Sequence, residues 1–113
     1  MLADVPAGDD LRTEEYFGPV CVVIPAESAD AAVRVANEVR HGLVAAIHTR
    51  DLGSALTLSN QLDVGMVKVN APTTGVDFHA PFGGEKESSY GPREQGTAAR
   101  DFYTRTVTVT LTP

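Results

Sequence analysis

After an acidic leader that contains Pro and Gly, residues 20–69 alternate between short apolar runs and longer stretches with one apolar face. Residues 20–24 form a β-branched run between two prolines, which is typical of a buried strand. Ser28 can then cap a helix over residues 29–40, where apolar residues recur at helical spacing, and Gly42 stands where that helix would stop. Residues 43–47 are again apolar and predict a second strand.

The pattern repeats once more towards the middle of the chain. Asp51 is a favourable N-cap for a second amphipathic helix that would end before Gly65, and residues 66–69 predict a third strand. Strands that alternate with helices of about a dozen residues indicate βαβ units with right-handed crossovers. We therefore expect an α/β fold, with a partial open parallel sheet in the order β-α-β-α-β.

Beyond position 69 the regular pattern breaks. Residues 70–92 are rich in Gly, Pro, Thr and Ser, and a loop of that length usually has a functional reason, so we interpret it as lining a site. Pro92 could open a third helix that runs to about Tyr103. From Thr106 to Leu111 polar and apolar residues alternate, which predicts a C-terminal strand that needs a pairing partner.

Composition excludes several function classes. The 113 residues are 42% hydrophobic and 21% charged, as in one small globular domain or a part of one. A net charge of -6 and scattered Arg and Lys argue against a nucleic-acid partner. The single cysteine excludes an internal disulfide, and no Cys and His set has zinc-ligand spacing. The single cysteine suits a reducing cytoplasm, where we expect the protein to lie. We expect no membrane partner, because no apolar run is long enough to span a bilayer.

Two blocks carry a family resemblance: EEYFGPV at residues 14–20 and APFGGEKESSYGPREQG at residues 80–96. Together they resemble the C-terminal part of the NAD(P)-dependent aldehyde dehydrogenase superfamily. TTGVDFH at residues 73–79, with SSYGPREQG, resembles the α-ketoglutarate semialdehyde dehydrogenases. The resemblance implies that residues 1–104 belong to the catalytic domain and that residues 105–113 form an oligomerisation strand, which makes a homo-oligomer the expected assembly of the complete enzyme.

The resemblance also implies a cofactor, NAD or NADP, and three residues that would meet it. Glu15 would accept hydrogen bonds from both hydroxyls of the nicotinamide ribose, a task that suits a carboxylate. Phe17 would lie beside the nicotinamide ring, and Leu43 would approach the cofactor and the reacting centre. The alternatives are a solvated charge for Glu15, core packing for Phe17 and a strand-opening leucine for Leu43. No glycine-rich phosphate loop is present, so the chain would meet the nicotinamide end only.

Four further residues are candidates for the substrate site. Phe82 matches an aromatic residue that helps to wall the aldehyde channel in the family. Phe78 and His79 lie in the segment expected to set substrate selectivity, although His79 could equally sit on a surface loop. Asn70 follows the third strand, where ligand sites on open α/β sheets tend to lie, and the alternative is that it simply closes a turn.

Cys21 is not interpreted as the nucleophile. It lies within an apolar run, where a cysteine behaves as a small hydrophobe, whereas a catalytic thiolate needs a polar, activating setting. In the resembling family the nucleophilic cysteine and the general-base glutamate precede this region, so Met1 would fall inside a domain. A truncated gene, a frameshift, a fragment or a misassigned start codon would each account for that.

The leading hypothesis is therefore the C-terminal part of an enzyme that oxidises an aldehyde or semialdehyde to a carboxylic acid. In the family a cysteine thiolate attacks the carbonyl, hydride passes to nicotinamide and water releases the acid. This chain alone would be inactive and would supply positioning. Two alternatives are a non-catalytic interaction module that pairs through residues 106–111, and an unrelated small α/β ligand-binding protein.

Overall fold

The computed structural model describes all 113 residues and has a mixed α/β architecture with small sheets. Two 3-10 turns, at Asp10–Arg12 and Gly96–Ala98, accompany the longer elements. The helices and strands follow in this order along the chain: α1 (Ala29–Asn37), β1 (His41–Gly42), β2 (Val44–Ile47), α2 (Leu52–Ser59), β3 (Met66–Val69), β4 (Glu85–Lys86) and α3 (Ala99–Tyr103).

Both predicted helix caps are confirmed. The Ser28 hydroxyl oxygen accepts a hydrogen bond from the Ala31 N–H at 3.1 Å, and an Asp51 carboxylate oxygen accepts one from the Ser54 N–H at 2.6 Å. Such bonds satisfy N–H groups that the first helical turn leaves without partners. Helix α1 ends at Asn37, earlier than its apolar pattern predicts.

The strands form two separate ladders. Strands β2 and β3 pair in parallel from Val44↔Met66 to Ile47↔Val69, with helix α2 between them, as the βαβ pattern predicts. Strand β4 comes from the long loop and pairs antiparallel with β1, placing Gly42 opposite Glu85. The latter pairing has no signal in the hydrophobic pattern, because each of these strands is only two residues long.

The predicted strand over residues 20–24 is wrong for this chain. Its only pairing is an isolated parallel bridge between Leu2 and Val22, and Val20, Val23 and Cys21 are exposed. A strand needs a continuous partner, and the prolines on either side remove two backbone donors. The run is apolar, but apart from the bridge to Leu2 it has no partner strand within the chain.

The predicted third helix begins later than expected. Phe82 and Glu94 exchange two backbone hydrogen bonds, 2.7 and 2.8 Å long, which hold the chain extended just after Pro92. Gln95 then has a positive φ of 61°, which is incompatible with an α-helix. Helix α3 is consequently limited to Ala99–Tyr103. Residues 104–113 form no ladder and are exposed, so their pairing with another strand stays a prediction.

Little of this chain is shielded from solvent. Ala55, at 3% exposure, is its one buried apolar side chain, and the accessible surface is 8708 Å². A compact monomer of this mass would expose about 6,000 Å². The radius of gyration is 18.3 Å, against roughly 13 Å for a compact chain of this length. No helix has the length and apolar character needed to cross a membrane.

Candidate functional site

Two clefts meet at Leu43, in the bend between β1 and β2. The first has a volume of about 480 Å³ and is bordered by the turn after the first 3-10 helix, by the end of α1 and by β1 and β2. The second, of about 280 Å³, lies between Leu43 and the glycine-rich loop that follows Phe82. Leu43 and Ser88 line both, so the clefts share a wall.

The rim of the first cleft is formed by residues 12–15. Asp9 caps the preceding 3-10 turn by accepting a hydrogen bond from the Leu11 N–H at 2.9 Å. The Glu14 N–H then donates to the Asp10 carbonyl at 2.8 Å, which closes the turn. Glu15 follows with an exposed side chain at the cleft. Local turn hydrogen bonds therefore place a carboxylate at this opening.

Arg40 connects that rim to the opposite loop. One guanidinium nitrogen donates to a Glu14 carboxylate oxygen at 2.6 Å and another donates to Glu87 at 2.7 Å. The hydrogen bonds to Glu14, which has the larger effect, and to Glu87 raise the pKa of Arg40 above its ordinary value. The guanidinium is charged at any working pH, so it forms ion pairs with both carboxylates wherever these are ionised.

The wall between the clefts is built by close backbone approach. The Gly42 N–H donates to the Ser88 hydroxyl oxygen at 2.9 Å, and the Gly84 N–H donates to that of Ser89 at 2.7 Å. A Cβ on Gly84 would lie 2.7 Å from the Ser88 Cβ, closer than ordinary contact, so only glycine allows this packing. Arg93 braces the same loop by donating to the Gly84 carbonyl and pairing with Glu85.

Lys86 fixes β4 against the end of α1. Its ammonium donates to the Asn37 and Val39 carbonyls at 2.9 and 3.0 Å and lies 3.3 Å from an Asp63 carboxylate oxygen. A cation at this end of a helix satisfies free carbonyls and complements the helix dipole. The contact explains why α1 stops at Asn37 and why the short β1–β4 pairing is held in place.

Three of the sequence-predicted residues come together here. Glu15 and Leu43 line the first cleft, and Leu43 and Phe82 line the second. Phe17 lies outside both with 97% of its surface exposed, so the alternative of core packing does not hold within this chain. A fully exposed aromatic ring is available to contact a ligand or another polypeptide segment.

The remaining predicted residues do not line either cleft. Phe78 is 71% exposed, and its ring centroid lies 3.8 Å from that of His79. The Asn70 side chain accepts from the Thr49 N–H at 2.9 Å and donates to the Thr49 carbonyl at 2.8 Å. Both polar groups of the Asn70 side chain therefore join the end of β3 to the residues that follow β2. This agrees with the alternative that Asn70 closes a turn.

Sequence reasoning did not identify Arg40, Ser88 or Lys86. Their partners lie 23 to 49 positions away along the chain, so no local spacing could reveal them. Arg40 itself entered the sequence analysis only as the last residue of the helix predicted over residues 29–40. The chain has no cluster of His, Cys, Asp or Glu that could hold a metal ion. The Cys21 side chain is exposed, whereas the sequence predicted that it packs within a strand.

Comparison with known proteins identifies the family to which this geometry belongs. The model of the aldehyde dehydrogenase family matches residues 1–109. The chain belongs to the aldehyde dehydrogenase family. It corresponds to a C-terminal part of such enzymes, which confirms the resemblance of the two sequence blocks and excludes an unrelated ligand-binding protein.

The aldehyde dehydrogenases most similar in sequence include two semialdehyde enzymes. An alpha-ketoglutaric semialdehyde dehydrogenase of Bacillus subtilis is 46% identical over 103 residues, which are 91% of this chain and 21% of that protein. An alpha-ketoglutarate semialdehyde dehydrogenase of Haloferax volcanii is 44% identical over 96% of this chain and 23% of its own length. The chain therefore spans about a fifth of the length of the relatives it matches.

The fold is likewise that of an aldehyde dehydrogenase segment. The structure of an aldehyde dehydrogenase from Bacillus cereus in complex with NAD+ superposes with a TM-score of 0.84 at 36% identity, over 91% of this chain and 21% of that one. This likeness supports the mixed α/β architecture of the chain.

Proposed function

We propose that this chain is the C-terminal segment of an NAD(P)-dependent dehydrogenase that oxidises an aldehyde or semialdehyde to a carboxylic acid. The observation that carries the proposal is the pair of adjoining clefts, in which Glu15 and Phe82 lie on opposite sides of the shared residue Leu43. The segment positions cofactor and substrate. The nucleophile and the general base come from outside this chain, which by itself turns over no substrate.

The first cleft is proposed as the nicotinamide end of the cofactor site. The exposed Glu15 carboxylate can accept two hydrogen bonds from a vicinal diol, and Phe17 is free to contact the nicotinamide ring. The cofactor supplies the hydride acceptor when it is bound. Its phosphates would be held elsewhere, because the chain has no phosphate-binding glycine loop.

The second cleft is proposed as part of the substrate channel. Phe82 and Leu43 give it apolar walls, while Ser88 and Ser89 supply hydroxyl groups at its base. Phe78 and His79 would face the substrate from the preceding loop once neighbouring polypeptide surrounds them. The names of the two semialdehyde relatives support a semialdehyde as the substrate. Asn70 is proposed to support this loop by closing the ends of β2 and β3 rather than to touch substrate.

The proposal can be tested in a chimaera. We would replace the matching segment of the B. subtilis relative with this chain and measure oxidation of α-ketoglutarate semialdehyde with NAD+. Activity is expected, and Glu15→Gln should raise the KM for NAD+ roughly tenfold or more, since the charged acceptor is lost. Phe82→Ala should raise the KM for the aldehyde instead.

The control is Glu27→Gln, which removes an exposed carboxylate that makes no side-chain hydrogen bond or ion pair. It should change neither Michaelis constant. An inactive chimaera that is nevertheless folded would refute the proposed function, as would a Glu15→Gln variant with an unaltered KM for NAD+.

A second candidate function is an interaction module that pairs through the C-terminal segment. Val107, Val109 and Leu111 are 64%, 74% and 88% exposed and recur on one side of an extended segment. Such a row is suited to adding a strand to a sheet of another subunit. Removal of residues 106–113 from the chimaera should lower its oligomeric state in light scattering. An unchanged mass would count against this role.

A further inference from the structure

Arg40 lies between the two loops that form the clefts. Its guanidinium reaches Glu14, 26 positions earlier, and Glu87, 47 positions later, at 2.6 and 2.7 Å. The Arg40 carbonyl also accepts a hydrogen bond from the Glu87 N–H at 3.1 Å. Backbone and side chain therefore hold the same loop, while the second guanidinium nitrogen holds the rim of the first cleft.

Each carboxylate that Arg40 binds is adjacent to a residue at the clefts. Glu14 directly precedes Glu15, and Glu87 directly precedes Ser88, whose hydroxyl oxygen accepts the Gly42 N–H. The other cations near this wall are committed elsewhere, Lys86 to Asp63 and Arg93 to Glu85. No other side-chain ion pair joins the rim of the first cleft to the Ser88 loop.

We propose that Arg40 is a positioning residue that sets the placement of Glu15 relative to the wall of the substrate cleft by clamping Glu14 to Glu87. The inference rests on the proposed function, because it concerns the affinity for the nicotinamide cofactor. Arg40 touches neither cofactor nor substrate in this account. It acts through the two glutamates.

The chemistry of arginine suits a clamp between two carboxylates. The planar guanidinium offers separate N–H groups in fixed directions, so two acceptors can be bound at once. A lysine ammonium is a single point charge and would serve the two carboxylates less well. Because the Arg40, Glu14 and Glu87 side chains are 51%, 41% and 59% exposed, dissolved salt should weaken the clamp.

The test uses the full-length chimaera with Arg40→Gln and Arg40→Lys. Arg40→Gln should raise the KM for NAD+ about three- to tenfold while kcat changes little, and Arg40→Lys should restore part of the affinity. Raising NaCl from about 0.05 M to about 0.5 M should raise the KM for NAD+ of the unsubstituted chimaera by a larger factor than that of Arg40→Gln, because salt also screens the cofactor's own phosphates in both. Arg34→Gln, which removes an exposed arginine of α1 with no side-chain hydrogen bond or ion pair, is the matched control and should leave the KM unaltered.

A double-mutant cycle adds a readout that general destabilisation would not produce. Glu14→Gln should raise the KM for NAD+ much as Arg40→Gln does, and combining the two should add little, since either change opens the same ion pair. If the effects of the two substitutions on the KM for NAD+ were fully additive, the proposed clamp would be overturned. An active chimaera in which Arg40→Gln behaves like Arg34→Gln would also overturn it, while leaving the proposed function intact.

If the unsubstituted chimaera is inactive, the proposed function fails. The positioning role of Arg40 is then tested in the 113-residue chain by itself. Hydrogen–deuterium exchange at the Glu14 and Gly42 amides, both hydrogen-bonded next to the clamp, should then be faster with Arg40→Gln than with Arg34→Gln. Equal exchange in the two variants would overturn the proposal.

Discussion

Substituting Gly65 by alanine tests whether close backbone packing positions the second cleft. Gly65 directly precedes β3 and donates its N–H to the Gly42 carbonyl at 2.9 Å. A Cβ at this position would overlap the Gly83 carbonyl oxygen and would lie 2.6 Å from the Gly84 Cα and 2.7 Å from the Gly83 carbonyl carbon. All three neighbours are backbone atoms, so no flexible side chain can move aside.

The size of the effect follows from this overlap. Ordinary contact between carbon atoms begins at roughly 3.5 Å, so relieving the two carbon contacts alone requires the loop that carries Gly83 and Gly84 to shift by about 1 Å, and the closer carbonyl oxygen requires more, unless the strand bends. Overpacking of this kind costs about 1 to 3 kcal/mol. Because Phe82 directly precedes Gly83, the same shift moves the Phe82 side chain. Misplacement of a substrate-contacting group by about 1 Å can lower turnover by about a hundredfold.

The assay compares Gly65→Ala with Gly53→Ala in the chimaera. Gly53 lies in α2, where an added Cβ would meet only an Asp51 carboxylate oxygen at 3.4 Å, an ordinary contact. Alanine in a helix is about 0.5 to 1 kcal/mol more favourable than glycine. We expect Gly65→Ala to lower both the urea midpoint and kcat/KM, and Gly53→Ala to preserve or raise the midpoint with activity unaltered. Equal midpoints and activities in the two variants would refute the packing argument.

Two further predictions concern the chain itself. Hydrogen bonding to Ser54, through its side chain and its backbone N–H, lowers the pKa of Asp51, so the cap stabilises α2 above about pH 4 and is lost as the pH falls through the lowered pKa. As acid is added, the helical circular dichroism of the native chain should fall below that of Asp51→Asn, because asparagine caps a helix without titrating. Parallel acid curves for the two chains would contradict the role of the Asp51 carboxylate as a titrating cap. Small-angle scattering of the dilute chain should give a radius of gyration near 18 Å, whereas a value near the roughly 13 Å of a compact chain would show that the uncovered apolar surface closes on itself.

Local patterns were enough to predict the central elements. Helices α1 and α2 follow from Ser28, Asp51 and apolar residues at helical spacing, and β3 was predicted at the residues where it occurs. Each of these signals lies within about a dozen neighbouring positions. The βαβ pattern also predicted the parallel pairing of β2 with β3, because the intervening helix permits that crossover.

Features that depend on distant partners could not be predicted in this way. Residues 20–24 are as β-branched as a strand, yet only Leu2 pairs with them, and Pro92 precedes a segment that the Phe82–Glu94 bridge holds extended. Glu15, Leu43 and Phe82 were named from a family resemblance and do line the clefts. Arg40 was missed because an arginine has no local pattern that reveals two carboxylates on separate loops.

Leu43 is common to both clefts, and this constrains how the site can change. The residue interrupts one extended segment between β1 and β2, so its side chain forms a partition with a different opening on each side. A bulkier residue would narrow both openings and a smaller one would join them. The shapes of the two clefts therefore cannot be altered independently at this position, whereas a substitution of Phe82 can change the second cleft without changing the first.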